Sequence, residues 1–147
     1  HPERHPALDA LEHGIGSGGP GYNNYRPFEL QLLIRFSAAW KALDGSEHAR
    51  LLGDAWTFAD WFDRLPDGPS PQLRHMLFHL LFPVEFERIS STSEKKRVDK
   101  AFAKLIERTE MTPADRGPSA LARDRRVRRI RGALQAEGAL PPAGETP

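Results

Sequence analysis

Two histidines, His75 and His79, stand four residues apart, the spacing that puts two metal ligands on one face of a helix. Their neighbours do not complete His-Glu-x-x-His, the chain has no cysteine, and no third ligand is evident. A pair of partly exposed histidines beside an apolar stripe is the plainer reading. Ser90, Ser91, Thr92 and Ser93 line up four hydroxyls. Such groups at a helix start satisfy free backbone N–H groups, and no histidine adjoins them to act as a base. Glu85 and Glu87 flank Phe86 as alternating exposed positions rather than as paired catalytic carboxylates. An enzyme site would need His75, His79, Glu85 and Ser90 to meet in space, which the sequence does not dictate. Gly14, Gly16 and Gly19 satisfy G-x-G-x-x-G, but no strand precedes them and Pro20-Gly21 comes next, so a linker is expected instead of a dinucleotide site. No glycine precedes a lysine, so a Walker A loop is absent. The sequence points to no catalytic residue, no cofactor and no metal.

The basic residues carry more. The net charge is only +1, yet residues 94–131 hold thirteen Lys and Arg against six Asp and Glu. Lys96, Lys100, Lys104 and Arg108 recur every four residues, opposite Val98, Phe102 and Leu105 on a helix. Arg123, Arg125, Arg126, Arg128, Arg129 and Arg131 crowd a later segment. Stripes of this kind bind phosphate backbones, which makes Lys96, Lys100, Lys104, Arg108, Arg125, Arg126, Arg128 and Arg129 candidate contacts to nucleic acid or an acidic partner. Glu94, Asp99, Glu107 and Asp124 dilute the field, and no aromatic residue is interleaved for base stacking. Two solvated basic helices is the competing reading.

The elements that must position these residues are helical. Residues 1–26 form an N-terminal linker rich in glycine, and regular structure is expected from Pro27, at a first helical turn. A first helix over 27–43 puts Phe28, Leu32, Phe36, Ala39 and Leu43 on one face, widened by Leu33, Ile34 and Trp40. A second, over 47–64, aligns Leu51, Leu52, Ala55, Phe58, Ala59 and Phe62. Ser70-Pro71 opens a third, with Leu73, Met76, Leu77, Leu80 and Leu81 as its core stripe until Pro83. Ser91 to Glu94 reads as a capping box, and the fourth helix, to about residue 109, buries Val98, Ala101, Phe102, Leu105 and Ile106. A final helix over 120–137 shows a narrow seam of Val127, Ile130 and Leu134. The expectation is a mainly α chain, a small bundle of four to five helices. Its core spans 27–109, a basic extension 110–138, and a disordered Pro/Gly-rich tail 139–147.

A length of 147 residues allows one domain, with 39% hydrophobic residues to fill its core. No apolar run approaches the roughly 20 residues that span a bilayer, and the first residues lack a signal-peptide pattern. The chain opens on His1 without an initiator methionine, as an excised piece or processed product would. A cytoplasmic location is the expectation.

Residues 73–91, reading Leu-Arg-His-Met-Leu-Phe-His-Leu-Leu-Phe-Pro-Val-Glu-Phe-Glu-Arg-Ile-Ser-Ser, are followed by Glu94-Lys95-Lys96. This block resembles a stretch of McrB-like AAA ATPases upstream of the nucleotide-binding module, where a leucine-rich helix ends in Leu-Phe-Pro. There Phe-Glu-Arg-Ile-Ser-Ser and a lysine-rich helix come next. Gly21-Tyr22-Asn23, Glu29-Leu30 and 54–58 (Asp-Ala-Trp-Thr-Phe) are also similar, so the resemblance covers about residues 14–109. Val84 departs from the acidic residue of that pattern. The resemblance implies a non-catalytic accessory domain in a DNA-restriction or phage-defence system. Its partner would be an AAA ATPase module of the same or a neighbouring chain, with the DNA backbone as a further contact and no membrane. A free-standing helical interaction module is the alternative.

Overall fold

Helix formation starts earlier than the glycine pattern predicts. The computed structural model describes residues 19–68 and 71–141, with side chains from residue 24. Its first helix, α1, runs Gly19–Lys41. Pro20 sits in the first turn, where a missing N–H costs no bond. Pro27 is therefore inside the helix rather than at its start, and it lies exposed. The rest of the expected linker, 1–18, lies outside the described residues.

The inward face of α1 carries Glu29 and Leu32, buried, with Phe36 and Trp40 against the core. Phe28, expected on that face, is 60% exposed, as is much of Leu30, Leu33 and Ile34. Leu43, just past the end of α1, also packs on the core.

The expected second helix is two. α2 spans Gly45–Gly53 and α3 spans Ala55–Asp63. Asp54 divides them: it is extended (φ −142°, ψ 115°), and its carboxylate accepts from Thr57 N–H at 2.6 Å. A short acidic side chain that captures a backbone N–H competes with helix continuation and starts a new helix instead. The predicted stripe survives the break, with Leu51, Ala55, Phe58, Ala59 and Phe62 all buried, and only Leu52 turned out. The turn after α3 places Gly68 so close to the Phe62 carbonyl that a Cβ would stand 2.5 Å from it.

α4, Gln72–Leu81, corrects the leucine stripe. Its buried residues are Arg74, His75 and Phe78, whereas Leu80 is 77% exposed and Leu81 faces outward. Leu73 and Leu77 pack only at the edge of the core. The rotation has a physical cause: an aromatic core on one side and buried counter-charges on the other both favour the Arg74–Phe78 face. The Phe78 ring lies 5.8, 5.2 and 4.9 Å from those of Phe58, Phe62 and Phe86, within the range of favourable aromatic pairs.

The last third is α5, Thr92–Ala101, then α6, Ala103–Glu107, a 3-10 turn, Pro113–Asp115, and α7, Ala120–Ala136. Phe102 breaks the predicted fourth helix (φ −104°, ψ 18°), so Ile106 alone of its expected apolar set is buried. α7 packs against α3, α5, α6 and the 3-10 turn, and buries Ala122, Val127 and Ile130. The 110–138 segment is thereby joined to the 27–109 core. Seven α-helices and no strand occur among the described residues. None of these helices is long and apolar enough to cross a membrane. Of the expected tail, 139–141 is described and 142–147 lies outside the described residues.

Candidate functional site

Among the described residues, six charged or polar ones are buried: Glu29, Arg74, His75, Lys95, Asp115 and Asp124. Four of them form one network at the junction of α3, α4, α5 and α7. The Arg74 guanidinium, wholly buried, donates through Nε and Nη2 to both Asp63 oxygens at 2.6 and 2.7 Å. Its Nη1 donates to Asp124 Oδ2 at 2.7 Å, and its plane lies 4.4 Å from the Phe78 ring centre. Lys95 Nζ donates to the other Asp124 oxygen at 2.6 Å. Two cations thus face two carboxylates, which is how proteins tolerate buried charge.

His75 is fixed by elimination. Its Nδ1 lies 3.0 Å from Lys95 Nζ and 3.2 Å from Arg74 Nη1, both donors only. Nδ1 must accept, so the ring is neutral and Nε2–H donates to Thr92 Oγ1 at 3.0 Å. Burial, then Lys95 and Arg74, lower the His75 pKa to about 3. Burial raises Asp63, which meets a single cation and the like charges of Asp124 and Asp60. Burial would raise Asp124 too, but Arg74 and Lys95 together outweigh it and hold that carboxyl low. Burial likewise pulls Lys95 down, with Asp124 opposing.

His79 takes another path, its Nδ1–H donating to the Phe86 carbonyl at 2.9 Å. The two histidines therefore serve different partners, and no group of three or more ligating side chains occurs among the described residues. Ser91 accepts from Glu94 N–H at 3.3 Å as the N-cap of α5, while Thr92 belongs to the network.

Glu29 acts as a cap from a distance. Pro71 precedes α4 without a capping side chain of its own. The Glu29 carboxylate on α1 instead accepts from the Gln72 and Leu73 N–H groups, both at 2.8 Å.

The arginines of α7 divide into two kinds. Arg126 is bidentate on Asp99 at 2.7 and 2.6 Å and donates to the Asp115 and Gly117 carbonyls. Arg129 pairs with buried Asp115, which also accepts from Thr112. Arg131 donates to the Val84 carbonyl and stands 2.9 Å from Glu87, an ion-pair contact not aligned as a hydrogen bond. Arg125 stacks over Trp56 at 4.2 Å. Of the α7 candidates for phosphate contact, Arg126 and Arg129 are thus committed to internal carboxylates and Arg125 to a ring. Arg128 pairs with no carboxylate among the described residues. Lys96, Lys100, Lys104 and Arg108 are all exposed and likewise pair with none, but the break at Phe102 splits their stripe, leaving Lys96 and Lys100 on α5 and Lys104 and Arg108 on α6 and its C-cap.

Lys96 and Lys100 instead share a groove of about 740 Å³ with Arg116 and Arg123, which sequence spacing does not group with them. Asp63, Asp99, Asp115 and Asp124 also escape sequence reasoning as partners, because separations of 11 to 50 residues leave no local signature. Comparison with protein-family models, curated proteins and solved structures finds no match to this chain.

Proposed function

We propose that this chain is a non-catalytic helical accessory domain of a McrB-like AAA ATPase in a DNA-restriction or phage-defence system. It works in the cytoplasm as a small helical bundle between a target-sensing part and the motor. The observation that carries this reading is the role of residues 73–96, the block that bears the resemblance. They supply buried Arg74 and Lys95, which clasp Asp124 of α7, and His75 and Thr92, which complete the network behind them. In this reading the block is a stiff joint that fixes the bearing of α7, and nucleotide hydrolysis belongs to a module elsewhere in the same or a neighbouring chain. The absence of a Walker A loop supports that division. So does the burial of the cluster around His75, the group with the largest shift in protonation among the described residues, since a catalytic group must reach its substrate.

Two measurements test it. The encoding gene, read beyond this segment, should carry a Walker A motif in the same or an adjacent frame, and its absence argues against the proposal. The purified chain should co-elute with that ATPase module and hydrolyse no nucleotide alone. The second reading is a free-standing interaction module, favoured by the exposed Tyr25, Phe28, Leu30, Leu33 and Ile34 of α1. Stable complexes with an unrelated protein, and none with the ATPase, would establish it instead.

A further inference from the structure

The fold neutralises its cations selectively. Arg74, Lys95, Arg126, Arg129 and Arg131 each face a carboxylate within 4 Å. Lys96, Lys100, Arg116 and Arg123 face none among the described residues, and these four line one groove between α5–α6 and the start of α7. Arg123 is partly held, donating to the Pro118 carbonyl at 3.2 Å. Two carboxylates share the groove, and Asp99 is already occupied by Arg126, leaving Glu107 against four cations. A concave surface with a surplus of positive charge and apolar walls, here Ala103, Ile106 and Met111, focuses the field on an anionic ligand.

We propose that this groove binds the phosphate backbone of duplex DNA through Lys96, Lys100, Arg116 and Arg123. Lys96 and Lys100 stand one turn apart on α5, a rise of about 6 Å, close to the spacing of successive phosphates along a strand. The groove contains no aromatic side chain, so it offers no platform for the unstacked bases of a single strand. Its contacts would position a duplex without reading its sequence. This deepens the accessory-domain reading, which motivates the choice of DNA, and it relocates the contact from the Lys96–Lys100–Lys104–Arg108 stripe to a site built from two segments.

The test is anisotropy titration of a labelled duplex by the 147-residue chain across a salt series. Four phosphate contacts give a log–log slope of about −3.6, at about −0.9 per contact. Lys100→Glu/Arg116→Glu should weaken binding at least tenfold near 50 mM salt and flatten the slope by about 1.8. Lys104→Glu/Arg108→Glu makes the same change in net charge outside the groove and should change affinity by no more than about twofold. The milder Lys100→Gln/Arg116→Gln should fall between, and all these positions are exposed, so the melting transition checks that folding is kept. Equal losses from the two reversal pairs would reduce the effect to overall charge and overturn the site. So would no binding near 50 mM salt, or polyglutamate competing as well as DNA, which would indicate an acidic protein ligand. Because the chain is assayed alone, failure here leaves its association with an ATPase untouched, and failure of that association leaves the groove untouched.

Discussion

Replacing Asp124 by Asn should be among the most damaging single changes available to this fold. The carboxylate is buried and serves two cations at once, Arg74 at 2.7 Å and Lys95 at 2.6 Å. Each attraction is worth about 4 kcal/mol at the effective dielectric appropriate to proteins. Much of that is offset, because the Asn variant no longer strips a carboxylate of water. Breaking buried pairs by removing one partner nets about 3–5 kcal/mol, and Asn presents an amide N–H₂ to at least one cation, which adds no compensation. Against a total stability of about 5–15 kcal/mol this is a large fraction. At about 4 °C per kcal/mol for a chain of this size, the melting temperature should fall by about 12–20 °C. Urea unfolding followed by the fluorescence of Trp40, Trp56 and Trp61, all packed on the core, measures it directly. Adding Lys95→Met removes the cation left unmatched, so the double variant should be more stable than the sum of single losses by about 0.5–3 kcal/mol. A loss below about 1 kcal/mol for Asp124→Asn, a value typical of exposed pairs, or strict additivity with Lys95→Met, would refute the buried network as described.

Acid should destabilise the protein through His75, whose pKa of about 3 in the fold compares with about 6.5 unfolded. Between those values the unfolded chain binds the extra proton, so stability drops as pH falls from about 6.5, at up to about 1.4 kcal/mol per unit. His75→Gln should remove that component, and an unchanged pH slope would show that His75 titrates freely. Phe78→Ala should cost about 3–5 kcal/mol in the same urea assay, against a smaller loss for Leu77→Ala at the core edge, and the reverse order would restore the leucine stripe as the inward face. Glu29→Ala leaves the Gln72 and Leu73 N–H groups without acceptors and should cost about 1–3 kcal/mol. Hydrogen exchange at those two amides should speed up, and unchanged exchange would mean water already serves them.

Helix content and the apolar registers of the 47–64 and 120–137 segments are readable in the sequence because they depend on near neighbours. The stripe from Leu51 to Phe62 keeps its face even across the break at Asp54, and Ser91 starts a helix as its hydroxyl suggests. α4 misleads because a run of leucines dominates any periodicity count, while Arg74 and His75 look like solvent-facing residues until their partners are known. Those partners come from α3, α5 and α7, and pairing across 50 residues is a property of the tertiary fold. The same holds for the basic surface. The arginines of α7 look alike in sequence, and only the placement of Asp99, Asp115 and Glu87 decides which are neutralised. Arg116 stands outside every stripe, and folding brings it beside Lys96 and Lys100.

The end of α7 decides how motion could pass beyond it. Gly138 adopts φ +71°, its N–H bonds the Gln135 carbonyl at 3.0 Å, and Ala139 N–H bonds the Leu134 carbonyl at 2.8 Å. This pair of bonds, with glycine in the left-handed region, is a Schellman stop. Gln135 then donates from its side chain to the Pro141 carbonyl at 2.8 Å, and a second proline comes next in the sequence. Neither proline can extend a helical ladder. Had α7 run on unbroken into a further unit, each inserted residue would have turned that unit by about 100° about the helix axis. With the ladder closed at Gly138, angular phase is not carried past the stop. Residues added after Pro141 should change reach far more than orientation, whereas one residue added between Asp124 and Val127 would turn Asp124 by about 100° from the face that Val127 and Ile130 bury, out of register with Arg74 and Lys95.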